Sequence, residues 1–122
     1  MKKVLIADDQ PSLRLLMSAA LASDDLDIIE AADGDEAWQM IEAERPDLAL
    51  LDIQMPGRTG LDLARAIRGC KDLAGTRIIL LTSKAQQSDV EAGLATGADY
   101  YLTKPFSPAE LLEQVQAVLG LP

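Results

Sequence analysis

The chain has no histidine, a single cysteine, and aromatic side chains at only 3% of its 122 positions. Each scarcity removes a class of function. Without histidine there is no His-based metal site, no Ser-His triad and no phosphohistidine. The lone Cys70, in the loop Gly69-Cys-Lys-Asp-Leu-Ala-Gly75, has nothing with which to form a disulfide framework or a zinc site, and reads as an incidental thiol. Basic residues are also few: 11 Lys and Arg against 20 Asp and Glu give a formal charge of −9, and their scatter argues against direct nucleic-acid binding. No apolar run is long enough to span a bilayer, and Met1-Lys-Lys-Val4 leads straight into a strand pattern instead of a signal peptide. The expectation is a soluble cytoplasmic protein with no membrane insertion. No repeat, low-complexity tract or Pro/Ser-rich linker divides the sequence, so residues 1–122 are expected to form one domain with no output domain attached.

What is present is aliphatic. Apolar residues make up 48% of the chain, so the core must be built from Leu, Ile, Val and Ala. Five apolar runs, at about residues 3–7, 27–31, 47–51, 77–82 and 98–102, lack a clean period of two, as strands covered on both faces should. Helical patterns lie between them. Leu13, Leu16, Met17, Ala20 and Leu21 form a stripe after Gln10-Pro11, with Pro suited to a first turn. Asp33 with Glu36, Thr59 with Asp62, and Ser107 with Glu110 carry the spacing of helix caps, and Pro46 stops the second helix from running on. Leu63, Ala64 and Ile67 give the third helix its apolar face, and Leu111, Leu112, Val115, Val118 and Leu119 give the fifth theirs. The fourth, over Ala85 to Thr96, is interrupted by Gly93 and has Val90 and Leu94 as its only large apolar residues. It is the most adjustable element. Five strand-helix units with right-handed crossovers predict an α/β fold, a flavodoxin-like three-layer (βα)5 sandwich around a parallel five-stranded sheet in order 2-1-3-4-5. Trp38 and Met40 are expected in the partial core, and Met55 as a loop anchor.

The chemistry gathers at strand ends. Val4-Leu-Ile-Ala7 runs into Asp8-Asp9, Leu48-Ala-Leu-Leu51 into Asp52, Ile78-Ile-Leu-Leu81 into Thr82-Ser83, and Tyr100-Tyr-Leu102 into Thr103-Lys104-Pro105. In such sheets ligands sit at the carboxyl ends of the strands, beside the point where strand order reverses. The second strand ends in Ala31-Ala32 and carries no chemistry, as befits an edge far from the pocket. Three carboxylates held close repel one another, raising pKa values or drawing in a cation, and an all-oxygen set suits a hard divalent ion such as Mg²⁺. A carboxylate can also attack phosphorus to give an acyl phosphate, with Lys104 and Thr82 of the right type to stabilise the transferring group.

Taken together, Val4-Leu-Ile-Ala-Asp-Asp9, Leu51-Asp-Ile-Gln-Met-Pro-Gly57 with Gly60, Leu80-Leu-Thr-Ser83 and Tyr101-Leu-Thr-Lys-Pro-Phe106 resemble the receiver domain of bacterial response regulators, of the chemotaxis type used in two-component signalling. The resemblance covers nearly the whole chain. It implies that Asp52 accepts a phosphoryl group from a sensor histidine kinase or phosphotransfer protein, and that Asp8, Asp9, Asp52 and the backbone carbonyl of Gln54 hold Mg²⁺ (or Mn²⁺). It further implies that Lys104 pairs with the phosphoryl oxygens, that Thr82 moves towards them on activation, and that Tyr101 is the aromatic switch. The Lys104-Pro105 peptide is expected to be cis. Chemistry would be limited to self-catalysed phosphorylation and dephosphorylation of Asp52. Output would pass through the fourth helix, fifth strand and fifth helix, to a protein partner or by dimerisation. An alternative is a receiver cut from a longer transcription factor or enzyme.

Rival readings stay open on residues alone. Asp8-Asp9 could cap the first helix, Asp52 could begin an Asx turn, and Thr82-Ser83 could cap the fourth helix. A Mg²⁺-dependent phosphatase with an Asp nucleophile would share the chemistry, but the haloacid-dehalogenase pattern places a second Asp two residues on, where this chain has Gln54. A flavodoxin-like flavin binder would share the fold, yet Asp8-Asp9-Gln10-Pro11 would repel a phosphate without a metal.

The resemblance also marks Gln54 and Lys84, two residues after Asp52 and Thr82, as tuning positions at the rim. A long cation at Lys84 would hold and shield the phosphoryl group. Lys84→Ala is therefore expected to speed loss of the acyl phosphate, followed by intact mass after donor removal; an unchanged or slower decay would sink the idea.

Overall fold

A computed structural model describes residues 1–83 and 87–121. Strand and helix alternate throughout: β1 (Lys2–Ala7), α1 (Pro11–Leu21), β2 (Leu26–Ala31), α2 (Gly34–Glu44), β3 (Leu48–Asp52), α3 (Gly60–Arg68), β4 (Arg77–Thr82), α4 (Gln87–Leu94), β5 (Tyr100–Thr103) and α5 (Pro108–Leu119), with a short 3-10 turn at Lys71–Leu73. The strands are parallel and ordered β2-β1-β3-β4-β5. That is the order expected from the strand-helix alternation. Among the described residues no helix is long and apolar enough to cross a membrane.

Side-chain alternation along the strands divides the core in two. Leu5, Ala7, Ala49, Leu51, Ile78, Leu80 and Tyr101 join one cluster with Ala37, Ile41, Leu63 and Ile67, on the side of α2 and α3. Val4, Ile6, Leu48, Leu50, Ile79, Leu81 and Leu102 join the other with Met17, Leu21, Leu111 and Val115, on the side of α1 and α5. Every strand residue named is buried, which is why the runs showed no period of two. Trp38 and Met40 are half-buried against the first cluster, and Met55 is buried within it.

Three helices begin as their sequences require. Asp33 accepts from the Glu36 amide, and Thr59 with Asp62 and Ser107 with Glu110 form reciprocal capping boxes. The first helix differs from expectation. Met17 and Leu21 are buried, but Leu16 is 47% and Leu15 70% exposed. One residue turns a helix by about 100°, so the strip that meets the sheet and α5 is centred on Met17 and leaves Leu16 on its flank. The fourth helix ends at Leu94, two residues before the expected Thr96; its expected start at Ala85 lies outside the described residues. The fifth strand starts at Tyr100 instead of 98, because at the preceding residue the Asp99 carboxylate accepts from the Ile78 amide at 2.8 Å and binds Arg68 at 2.9 Å.

Two glycines permit close approaches that matter to the site. A Cβ on Gly60 would lie 2.5 Å from the Asp52 carbonyl oxygen, so α3 can start against the end of β3 only with no side chain there. A Cβ on Gly93 would lie 2.7 Å from the Tyr101 ring, so the gap in the fourth apolar pattern is where that ring packs. Because the Gly60 obstacle is backbone and cannot rotate away, Gly60→Ala is expected to cost about 1–3 kcal/mol, measured by urea unfolding. A change within a few tenths of a kcal/mol would contradict the packing.

Candidate functional site

Register builds the site. Ala7 pairs with Leu51, which brings Asp8, one residue on, beside Asp52; Asp52 pairs with Leu81, and Thr82 with Thr103. Four strand ends thus converge at the carboxyl edge. Continued alternation sets Asp8, Asp52 and Lys104 on the side of α1 and α5, and Thr82 on the side of the Tyr101 ring. The carboxylates and the Thr82 hydroxyl therefore leave opposite faces of the sheet edge.

The centre of the site is one ammonium between two acids. Lys104 Nζ donates to Asp8 Oδ2 at 3.2 Å and to Asp52 Oδ2 at 3.1 Å. Asp8 is fully buried and Asp52 is 6% exposed. The Asp9 carboxylate is exposed at the mouth, and one oxygen from each of Asp8, Asp9 and Asp52 can lie within 4.8 Å of the others. This donor set fits a hard divalent cation: all oxygen, anionic, and open to solvent on one side for water or phosphate ligands. The other carboxylate oxygens are held by the main chain, Asp8 Oδ1 accepting from Gln10 N at 2.9 Å and Asp52 Oδ1 from Gln54 N at 3.1 Å. Lys104 follows Thr103 at the end of β5, its amide donates to the Thr82 carbonyl at 2.6 Å, and its bond to Pro105 is cis.

A cleft of about 290 Å³ opens here, lined by Asp9, Gln10, Asp52, Gln54, Thr82, Ser83 and Lys104. Sequence reasoning had named all of these except Gln10 in some role. Tyr101 is buried behind Thr82. Lys84 lies outside the described residues. A larger cleft of about 410 Å³, between Lys2, Asp47, Arg77 and Gly120, lies at the opposite end of the sheet from every residue in the acidic group.

Sequence reasoning missed Arg14. Its guanidinium sits in the second turn of α1, where Nη1 donates to the Asp8 carbonyl at 2.6 Å and Nε lies 3.5 Å from Glu30 Oε1 on β2. A signal existed: a cation this close to a helix N-terminus opposes the macrodipole and needs a compensating partner. The edge strand is correspondingly less silent than its Ala31-Ala32 end suggested. The Asp8 amide donates to the Ala31 carbonyl at 3.2 Å, and Glu30 anchors Arg14.

Burial raises the pKa of Asp52 above the ordinary 3.8; the Lys104 ammonium pulls it down, and the nearby Asp8 charge pushes it up. Burial lowers that of Lys104, but the Asp52 and Asp8 charges outweigh it and leave the ammonium above its usual 10.5. Burial likewise raises Tyr101, opposed by a hydrogen bond with the Thr82 side chain and aided by the charge of Asp89. The two central shifts differ in origin: burial lifts Asp52, whereas the carboxylate charges lift Lys104 against burial.

The signs of linkage follow. A raised carboxylate pKa means the folded protein binds the proton more tightly, so stability falls as pH rises from 3.8 through the folded value. The Lys104 contribution is complete below 10.5 and is lost as pH rises through its folded value. Asp52→Asn is therefore expected to stabilise the metal-free fold at pH 7, on the order of 1 kcal/mol. The gain should shrink on acidification towards 3.8, where the wild-type carboxylate is itself protonated. Thermal unfolding at several pH values checks this; a pH-independent difference would contradict it.

Comparison with known proteins agrees with this arrangement. The family model for the response regulator receiver domain matches residues 4–116. The DNA-binding response regulator MtrA of Mycolicibacterium smegmatis is 39% identical over 118 residues, covering 97% of this chain and 50% of that protein. The alkaline phosphatase synthesis transcriptional regulatory protein PhoP of Bacillus subtilis is 40% identical, covering 97% and 48%. The chain thus spans about half the length of these curated relatives. Among solved structures, the chemotaxis response regulator CheY4 of Vibrio cholerae superposes with a TM-score of 0.90 at 36% identity, covering 97% of this chain and 98% of that one. The BeF3-activated receiver domain of Klebsiella pneumoniae RstA gives 0.86 at 36% identity, covering 96% and 97%. Four converging strand ends, the acidic group and these matches have one explanation: the chain belongs to the response regulator receiver domain family of two-component signalling.

Proposed function

We propose that residues 1–122 act as a receiver unit in which Asp52 accepts a phosphoryl group from the phosphohistidine of a sensor histidine kinase or phosphotransfer protein. One observation carries this: the Lys104 ammonium lies 3.1 Å from Asp52 and 3.2 Å from Asp8, with Asp9 completing a three-carboxylate group. An Asp52 carboxylate oxygen attacks phosphorus as the P–N bond to the donor imidazole breaks, the bonding pair returning to the ring nitrogen, and an acyl phosphate results. Lys104, already hydrogen-bonded to the attacking group, pairs with the phosphoryl oxygens. Asp8, Asp9, Asp52 and the Gln54 carbonyl would hold Mg²⁺ (or Mn²⁺), which when bound neutralises charge on the transferring group. Chemistry is confined to Asp52 itself, so the chain turns over no external ester.

The same reading assigns the response to Thr82 and Tyr101. The hydroxyl of Thr82 engages the new phosphoryl oxygens, and the Tyr101 ring, which packs on Gly93 of α4, follows it. The α4, β5 and α5 surface then reports to a downstream protein or to a second copy of the chain. Gln54, which lines the cleft, and Lys84 tune access of water to the acyl phosphate. A second reading, favoured by the half-length match to MtrA and PhoP, is that these residues serve as the receiver of a longer transcription regulator.

Incubation with acetyl phosphate and Mg²⁺ tests the assignment. Wild type is expected to gain one phosphoryl group by intact mass, and Asp52→Asn none. Equal labelling of the two would overturn the mechanism.

A further inference from the structure

We propose that Arg14 is a positioning residue for the divalent-cation site, holding the turn that carries Asp8 and Asp9 through the Asp8 carbonyl. The inference rests on reading Asp8, Asp9 and Asp52 as that site.

The turn between β1 and α1 is short and acidic. Asp8 and Asp9 leave the strand, Gln10 caps the helix without a side-chain bond, and Pro11 offers no amide. Repulsion between the two carboxylates and Asp52 pushes this turn outwards. Besides the Lys104 bridge between Asp8 and Asp52, three contacts resist it. The Asp8 amide is tied to the Ala31 carbonyl at 3.2 Å, the Gln10 amide to Asp8 Oδ1 at 2.9 Å, and the Asp8 carbonyl to Arg14 Nη1 at 2.6 Å. Of these three, only the last comes from a side chain that can be changed without altering a proposed metal ligand or the Lys104 bridge.

Arg14 is itself fixed at both ends. Its amide donates to the Gln10 carbonyl at 3.0 Å, so the helix backbone, the guanidinium and the Asp8 carbonyl close a loop around the acidic turn. Glu30 Oε1, 3.5 Å from Nε, holds the other edge of the fork, and the Arg14 side chain is only 18% exposed. Arginine suits this role because its planar guanidinium presents donors at fixed, separated positions, so that Nη1 meets the carbonyl while Nε faces the carboxylate. Among the described residues its side-chain partners are the Asp8 carbonyl and Glu30, so it acts through the backbone of Asp8.

Sign separates positioning from electrostatics. Removing a nearby positive charge would by itself tighten cation binding, whereas loosening the turn weakens it. The test is Mn²⁺ binding followed by the electron paramagnetic resonance of the free ion, on wild type, Arg14→Met and Asp8→Asn, with melting curves in EDTA. Wild type is expected to bind, Asp8→Asn to lose most binding, and folded Arg14→Met to bind about tenfold more weakly, as loss of a supporting partner typically gives. Affinity in Arg14→Met equal to or tighter than wild type overturns the proposal. A lowered melting temperature with wild-type affinity would mean a purely structural residue, and overturns it as well. If Arg14→Met does not fold, Arg14→Gln is read by the same criterion. Wild-type affinity in Asp8→Asn, or no binding by wild type, refutes instead the cation site on which the proposal rests.

Discussion

The structure at the carboxyl edge depends on one shared ammonium. Lys104 bridges Asp8 and Asp52 at 3.2 and 3.1 Å, and without it two buried carboxylates would face each other unpaired. It cannot satisfy the site alone, because Asp9 adds a third acid within reach of the same centre. Asp9, unlike the other two, is exposed, so the negative charge that Lys104 leaves unmatched faces solvent. In that sense the fold holds a deficit in place: register brings the acids together, and burial keeps water from screening Asp8 and Asp52.

The fold builds this with economical means. Parallel strands buried on both faces fix their own register, since a slip of one residue would exchange the two cores. The same alternation sends Asp8, Asp52 and Lys104 towards α1 and α5 while Tyr101 packs towards α4. Helix entries are set locally by Asp33, Thr59 and Ser107, so each loop leaves its strand end at a defined angle. Gly60 lets α3 start against the Asp52 carbonyl, and Gly93 lets the Tyr101 ring reach α4.

Much of this is legible in the residues because its causes are local or periodic. Apolar runs ending in Asp, Thr or Lys identify strands and pocket together, and cap spacing marks three helix starts. What escaped is contact between elements distant in sequence. Leu16 fits the helical stripe, yet its exposure depends on where the sheet and α5 lie. Asp99 reads as part of the fifth strand run until Arg68, 31 positions earlier, is seen to bind it at 2.9 Å. Arg14 and Glu30 are unremarkable apart in sequence and become a pair only when β2 lies beside β1. The Arg58 guanidinium, 5.0 Å from the Trp38 ring centroid, is another such meeting, joining the loop after β3 to α2.

The division of the core by the sheet bears on how such a chain can diversify. The side chains under α1 and α5 and those under α2, α3 and α4 touch different faces of the same strands, and sheet-to-layer spacing is about 10 Å. Substitutions in helices on opposite sides of the sheet, with no shared partner, combine nearly additively. One core can drift in sequence while the other is held by selection, and neither history has to be rewritten for the other. Only the few residues at the strand ends, which belong to both sides, are denied that independence.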